Sequence, residues 1–372
     1  MSTPRPDAVV VGAGIVGAAC AEALAAEGLS VEILETRFAG SGATGSAMGH
    51  LVVLDDSEPQ FALSALSRRL WVERAAELPS DVEDVPAGTL WVAADEEEMG
   101  HVRSKAAFYT SRGIGAEVLD GRALSEAEPN LRPGLAGGLR VPGDRILYPP
   151  AAGRWLVSRA EALGARLRSG GEVVRVGSGF VETRSTRIQT GVVVVAAGVH
   201  SPSLLPGLAI VPKKGHLVIT DRAPGFARHQ MIELGYLRSA HGAARESVAF
   251  NLQPRATGQM LLGSSRELVG LDAAVNRSLT GRMVRRALEY MPALAKLPAL
   301  RVWTGFRPAT PDDLPFIGGW PALSGVYVAA GHEGLGITTS LGTARIVADL
   351  VTKRTPPIDP APFDPARSLP HA

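Results

Sequence analysis

The 372 residues include a single cysteine, Cys20. One thiol forms no internal disulfide and completes no multi-cysteine zinc or iron–sulfur site. No uncharged apolar run reaches the roughly 18 residues a bilayer span requires. Net charge is only +1, which gives no electrostatic footprint for nucleic acid or an anionic membrane. No internal repeat is present. With 45% apolar and 20% charged residues, the composition is that of an ordinary soluble globular protein. The length suffices for a large core, most simply divided between two domains. The cytosol is the expected compartment.

The most informative stretch is Asp7 to Glu35, DAVVVGAGIVGAACAEALAAEGLSVEILE. Ala8 to Val11 is a short, unbroken apolar run of the kind found in parallel strands buried on both faces. Gly12, Gly14 and Gly17 follow at G-x-G-x-x-G spacing. The first permits a tight turn, the second lets the backbone approach a pyrophosphate, and the third lets the next helix pack closely on the strand. That helix is expected over Ile15 to Ala26, with Gly28 as its C-cap. Its free N–H groups, including those of Ile15 and Val16, and its positive dipole end then face phosphates. A second strand, Ser30 to Leu34, leads to Glu35, whose carboxylate suits ribose hydroxyls and repels a 2′-phosphate. Two other readings of the stretch carry less. As a signal peptide it is broken by three glycines and Glu22, and the leader Met1 to Asp7 has no basic n-region. As plain core packing, the helix alanines are compatible with a dinucleotide site. Cys20, on this helix, is expected to be buried as a small hydrophobe.

Downstream, Thr36 to Gly49 is a loop of small residues in which Ser41, Thr44 and Ser46 are available to cofactor phosphates. His50 to Leu54 reads as a strand and Phe61 to Leu78 as a helix. Gly88 to Ala94 opens a strand-rich region, and the acidic run Asp95 to Glu98 suits a helix start. Further helices are expected over Val102 to Arg112, Asp120 to Glu128 and Ala151 to Leu163. Val192 to Gly198, VVVVAAG, is a buried strand needing room at its C-terminal end, where open α/β sheets bind ligands. From Val211 to Leu300 the pattern becomes antiparallel. It has a hairpin of Ser247 to Gln253 with Gln259 to Gly263 and a helix Met283 to Met291 burying Val284, Leu288 and Met291. Arg301 to Gly318 reads as an irregular, proline-rich segment. Val326 to Ala330 is a last apolar strand, followed by a glycine-rich turn and a helix over Ile337 to Val351. Thr355 to Ala372, with six prolines, is a tail that cannot be helical.

Four of these segments together resemble the FAD-dependent D-amino-acid and glycine oxidase (DAO) family. They are the glycine motif with Glu35, VVVVAAG at Val192 to Gly198, WTGFRPATPDDLP at Trp303 to Pro315, and AAGHEGLGIT at Ala329 to Thr338. The resemblance covers nearly the whole chain. Within the family, Met48 to Asp56 (MGHLVVLDD) is most similar to bacterial D-hydroxyproline dehydrogenases, with glycine oxidases and hydrogen-cyanide-synthase-type subunits further off. The implied fold class is α/β (α+β overall), a Rossmann-like FAD-binding domain interleaved with an antiparallel-sheet substrate domain. The expected division is 1–85, 141–212 and 301–355 for FAD and 86–140 and 213–300 for substrate, with 356–372 as the tail.

The resemblance implies a role for particular residues. Arg307 anchors the substrate carboxylate, and its planar guanidinium suits a bidentate clamp. Tyr236 sits where the family tends to place a tyrosine on that carboxylate, or is an ordinary strand aromatic. His50 faces the flavin or is simply packed. The FAD site would draw on Gly12, Gly14, Ile15, Val16, Gly17, Glu35, Thr36, Arg37, Gly42, Ala43, Thr44, Ser46, Met48 and Gly49, then on Ala197, Gly198 and Gly305. Val174 would offer its backbone to adenine. The turn of His332, Glu333, Gly334, Leu335 and Gly336, with the N–H groups of Ile337 and Thr338, would aim a second helix dipole at the flavin. His332 is expected to be structural within that turn. Sarcosine-oxidase relatives attach flavin through a cysteine near the C-terminal part of the chain; none exists here, so FAD is expected to be non-covalent. No metal is expected.

The implied chemistry is oxidation of the Cα–N bond of a small D-amino or cyclic imino acid, best cis-4-hydroxy-D-proline or D-proline. The electron acceptor is O2, a quinone or a partner flavoprotein, and a membrane acceptor would make the protein peripheral to the inner membrane. An oligomer is compatible with all of this. Alternatives are an NAD-dependent dehydrogenase, which leaves Gly331 to Gly336 unexplained, a glycine or sarcosine oxidase using O2, and an FAD-holding subunit of a larger dehydrogenase complex.

Overall fold

The computed structural model describes residues 5–235 and 246–368. The apolar run after Asp7 forms the strand Ala8–Val11, inside a six-stranded sheet. The order is Phe316–Gly319, Val326–Ala330, Val192–Val195, Ala8–Val11, Val31–Glu35 and Arg166–Ser169. All neighbours are parallel except the first pair. Alternate residues explain why these strands are apolar throughout. Ala8, Val10, Ile33 and Val194 pack under the helices Ile15–Ala26, Pro149–Ala162 and Gly336–Val351. Val9, Val11, Leu34, Val193 and Val195 pack on the other face against Val176, Val181 and Ile188 of a three-stranded sheet. Both faces are covered, so no polar alternation is possible.

A second, eight-stranded sheet has the order Ala299–Ala309, Val211–Arg222, Gln259–Glu267, Glu246–Pro254, Gln230–Glu233, Thr89–Ala93, Gly137–Val141, Glu117–Asp120. It is antiparallel apart from the pairing of Gln230–Glu233 with Thr89–Ala93. The fold is therefore α/β, α+β overall, as expected.

Several local expectations change. Arg301 to Gly318 is not irregular: Ala299–Ala309 is a strand paired along its length with Val211–Arg222, and Phe316–Gly319 is another. Two prolines hide it. Pro308 lies in the edge strand opposite Pro212, and Pro212 precedes the first pair with Gln259–Glu267, so neither removes an interior ladder bond. The strand from His50 stops at Leu51, because side chains take the next amides. Val52 N–H donates to Thr338 Oγ1 (3.3 Å) and Leu54 N–H to Ser64 Oγ (3.2 Å). The helix expected from Phe61 spans Glu58–Glu73, capped by Ser57, and the stretch Ala75–Glu77 is a separate turn.

The helix expected over Met283 to Met291 spans Arg277–Tyr290 and is capped by Asn276, whose Oδ1 accepts Leu279 N–H at 3.0 Å. Its most buried side chains are Leu279, Met283, Ala287 and Tyr290; the expected Val284 and Leu288 pack partly buried against the same cluster, and Met291 is buried in it just past the helix end. Tyr290 stacks on Phe250 with centroids 4.8 Å apart. The proline-rich tail forms two short 3₁₀ turns, Ala361–Phe363 and Pro365–Ser368, and it is docked. Phe363 is 1% exposed. Arg367 lies over the Phe316 ring (4.1 Å) and donates to Leu314 O (2.6 Å). No helix among the described residues is long and apolar enough to cross a membrane.

Candidate active site

The glycine motif closes as its spacing requires. Gly12 has φ +104°, and a Cβ there would stand 2.6 Å from Ala196 O; one at Gly17 would stand 2.0 Å from Gly12 O. Strand, turn and helix are thus in backbone contact, and any side chain would wedge them apart. At Gly14, by contrast, a Cβ would meet only Thr44 Oγ1, at 3.3 Å, so this residue faces the open side. Gly14 is the N-cap of Ile15–Ala26, and Thr44 Oγ1 accepts Ile15 N–H at 3.0 Å. Gly17 lies in the first helical turn beside Val16.

Glu35 lies at the end of its strand, 8% exposed. Its carboxylate accepts Ala13 N–H (2.8 Å) and Arg37 N–H (2.8 Å), and Ser41 Oγ–H at 3.3 Å. It therefore ties the glycine turn to the loop that follows. Thr36 and Arg37 start that loop on the surface, Arg37 over the Phe38 ring at 5.4 Å. The turn Gly42–Gly45 keeps Gly42 and Ala43 exposed and Thr44 buried.

The loop then crosses to the second sheet. A Cβ on Gly305 would come 2.5 Å from Ser46 Cβ, and one on Gly263 would come 3.2 Å from Met48 Sδ. Gly49, at φ +102°, packs on Leu147 O. His50 has a buried Nε2 with no hydrogen-bond partner among the described residues, and burial lowers its pKa to about 4. Thr338 Oγ–H donates to His50 O at 2.8 Å, joining this loop to the last helix.

Val174 lies on the edge strand Val173–Gly177. The register jumps from Arg175–Glu182 to Val173–Thr183 and leaves Val174 as the unpaired residue of a bulge. Gly171, three residues earlier, donates its N–H to Glu35 O (3.2 Å), so this backbone lies beside the acid. Ala197 and Gly198 (φ +54°) leave the C-terminal end of Val192–Val195, next to Gly12.

The second glycine turn starts at Gly331 (φ +85°), where a Cβ would strike Thr310 Cγ2 at 2.6 Å. His332 is 4% exposed, its Nε2 is 3.0 Å from Thr343 Oγ1, and burial lowers its pKa to about 3, as suits a structural residue. Glu333 has φ +47° and receives the Gly334 N–H on its own carboxylate. Leu335 is the N-cap of Gly336–Val351, whose first turn buries Ile337 and Thr338. A Cβ on Gly336 would lie 3.8 Å from Val16 Cγ2. The two glycine-led helices therefore bring their positive ends to one place.

Arg307 sits across from Lys213, two residues from the Gly215–Gly305 pair. Its guanidinium covers Gly215, where a Cβ would be 2.6 Å from Nη1, and Nη1 donates to Ser265 O at 3.0 Å. Beyond it lies Glu333. Burial alone would raise that carboxyl, but Arg307, Arg266 and Lys213 hold it below its usual value. Three cations around one carboxylate make this corner anion-seeking. Tyr236, the other expected carboxylate contact, lies outside the described residues.

Lys213, Gly215, Ser265 and Arg266 were not singled out from the sequence. The available signal was glycine inside a strand, at Gly215 and Gly305, which marks close approach. The arrangement fits an extended dinucleotide: open backbone at Gly14, two converging helix starts whose N-cap residues Gly14 and Leu335 make no side-chain cap bond, an unpaired backbone at Val174 and an orphaned nitrogen on His50. No group of three or more His, Cys, Asp or Glu side chains among the described residues could hold a metal.

A family model described as "FAD dependent oxidoreductase" (DAO) matches residues 7–350. The chain belongs to this family and is an FAD-dependent oxidoreductase of amino acids. It is similar to glycine oxidase of Geobacillus kaustophilus (strain HTA426), 31% identical over 386 residues, covering 99% of this chain and 98% of that one. A solved glycine oxidase from Geobacillus kaustophilus superposes with TM-score 0.88 at 29% identity, covering 98% and 99% of the two chains. D-amino acid dehydrogenase of Methylobacterium sp. (strain 4-46) is 30% identical over 73% of this chain and 65% of its own. L-proline dehydrogenase from P. horikoshii superposes with TM-score 0.87 at 25% identity, covering 98% of each chain.

Proposed function

We propose that the protein oxidises the Cα–N bond of a small D-amino or cyclic imino acid to the imine, with cis-4-hydroxy-D-proline or D-proline as best substrates. The observation that carries this is the Arg307 guanidinium, folded over Gly215 and facing the Gly331–Gly336 turn. Bound FAD supplies the hydride acceptor. The chain's own work is placement. Arg307 clamps the carboxylate, and Gly215 and Gly334 leave room beside it. The two helix ends provide positive potential where negative charge develops. No side-chain base is required, because the neutral amine loses its Cα hydrogen with its electron pair. Relatives named D-amino acid dehydrogenase and L-proline dehydrogenase support the substrate class.

In this reading the segments 1–85, 141–212 and 301–355 hold FAD, and 86–140 and 213–300 hold substrate. The strand Ala299–Ala309 serves both, through Gly305 and Arg307. FAD is held without a covalent bond: Cys20 is fully buried and its thiol is pushed up to about 12. Glycine oxidase chemistry with O2 is the second reading, favoured by 31% identity across 99% of the chain. Replacing Arg307 with Ala tests the anchor. The expected result is a KM for D-proline raised by about 100-fold or more, with turnover also reduced; kinetics close to wild type would remove the anchor role.

A further inference from the structure

The strands Val211–Arg222 and Gln259–Glu267 pair with Lys214 opposite Glu267 and Val218 opposite Leu262. Residues 215–217 of one strand therefore face residues 263–266 of the other, and the longer side bulges. A bulge leaves ladder groups without backbone partners. Ser265 resolves both sides of that mismatch. Its hydroxyl oxygen accepts His216 N–H at 2.9 Å, where a ladder carbonyl would otherwise stand. Its own carbonyl is thereby released to accept Arg307 Nη1 at 3.0 Å.

The hydroxyl is fixed in turn by the His216 ring. Asn276 donates its backbone N–H to His216 Nε2 at 3.0 Å, so that nitrogen carries no hydrogen. The ring hydrogen therefore sits on Nδ1, 2.9 Å from Ser265 Oγ, and points at it. Ser265 Oγ accepts twice, from the His216 backbone and from its ring. Both residues are fully buried. Asn276 also caps the helix Arg277–Tyr290, so the series of bonds is anchored in secondary structure at its far end. Alternation along the strand puts Arg307, Lys213 and Gly215 on one face of the sheet and His216 on the other. His216 thus reaches the ligand side by hydrogen bonding through Ser265.

We infer that Ser265 and His216 are positioning residues for the carboxylate-binding guanidinium. They hold the Ser265 carbonyl where it fixes one edge of Arg307 and leaves the remaining N–H groups to the ligand. This rests on the reading of Arg307 as carboxylate anchor. A guanidinium already held in one rotamer loses less freedom when the carboxylate arrives.

The test titrates the FAD-loaded protein with pyrrole-2-carboxylate, which has no Cα hydrogen to lose, and with the uncharged pyrrole-2-carboxamide, following the flavin absorbance. Ser265→Ala and His216→Ala should each weaken the carboxylate by about tenfold while leaving the carboxamide and the unliganded flavin spectrum unchanged. His216→Asn, which keeps an N–H near the Nδ1 position, should recover most of the loss, and Ser265→Ala should add nothing to Arg307→Ala. Equal weakening of both ligands, or an unchanged carboxylate in Ser265→Ala, overturns the positioning role. If Arg307→Ala weakens the carboxylate and Ser265→Ala does not, only this inference fails. If Arg307→Ala leaves it unchanged, the anchor reading falls and takes the inference with it. Should His216→Ala fail to fold, Ser265→Ala carries the decision.

Discussion

Arg307 lies flat over Gly215, so close that a single methyl added to the glycine would stand 2.6 Å from Nη1 and 2.9 Å from Cζ. The obstructing group would be the end of a flexible side chain, not backbone. Gly215→Ala should therefore fold normally and displace the guanidinium. The expected result is a KM for D-proline raised by roughly tenfold at unchanged FAD content, read by steady-state kinetics beside the flavin absorbance. Unchanged KM would mean that Arg307 does not hold substrate from this position.

Gly17 offers the opposite case, because its Cβ would strike backbone, 2.0 Å from Gly12 O. Gly17→Ala must separate the first helix from the glycine turn. Loss of bound FAD together with a lowered Tm is expected, whereas Glu35→Gln should keep the fold and weaken FAD by about 1.5–3 kcal/mol through its charge-assisted bonds. FAD titration of the two stripped proteins, alongside thermal melts, separates these outcomes.

How much of this was legible in the sequence depended on whether the determinant was local. Gly12, Gly14, Gly17 and Glu35 announce themselves, because turn, dipole and acid lie within one strand–helix–strand unit. Asn276 was an equally local cap signal, and reading it would have started the helix at Arg277. The strand carrying Arg307 was hidden by Pro308, whose tolerance depends on lying at a sheet edge, a property of the whole sheet. The roles of Ser265 and His216 come from a register mismatch between two strands, which no single segment reports. Tail composition excluded an α-helix correctly, but said nothing of Phe363 reaching the core.

Phe363 gives a stability test of that docked tail. It is 1% exposed and packs within the same apolar cluster as the first helix. Phe363→Ala should cost roughly 3–5 kcal/mol, measured by chemical denaturation; a change near zero would mean the tail is not part of the core.

Acid should weaken the fold. Burial lowers His50 to about 4 and His332 to about 3, against an unfolded value of about 6.5. Below about pH 6.5 the unfolded chain takes up protons that the native state refuses, so stability is full above that pH and falls as the pH drops toward 4. Asp144 opposes this: burial, against the pull of Arg68 and Thr89, raises its carboxyl to about 6, so its contribution is lost as pH rises through that value. Two imidazoles against one carboxyl leave a net loss in acid. Tm should fall between about pH 6.5 and 4.5, and His332→Gln, which keeps a partner for Thr343 without titrating, should flatten the slope. An identical slope in the variant would contradict the assignment.

The central claim is hydride removal from a small cyclic D-acid anchored by Arg307, and its most direct test is anaerobic bleaching of the flavin absorbance. Purified protein would be mixed with cis-4-hydroxy-D-proline, D-proline, glycine and sarcosine, each beside Arg307→Ala. The expected result is rapid bleaching by the two cyclic D-acids and its loss in the variant. Bleaching by glycine or sarcosine alone would contradict the substrate assignment, and no bleaching by any of the four would contradict the proposed reaction itself.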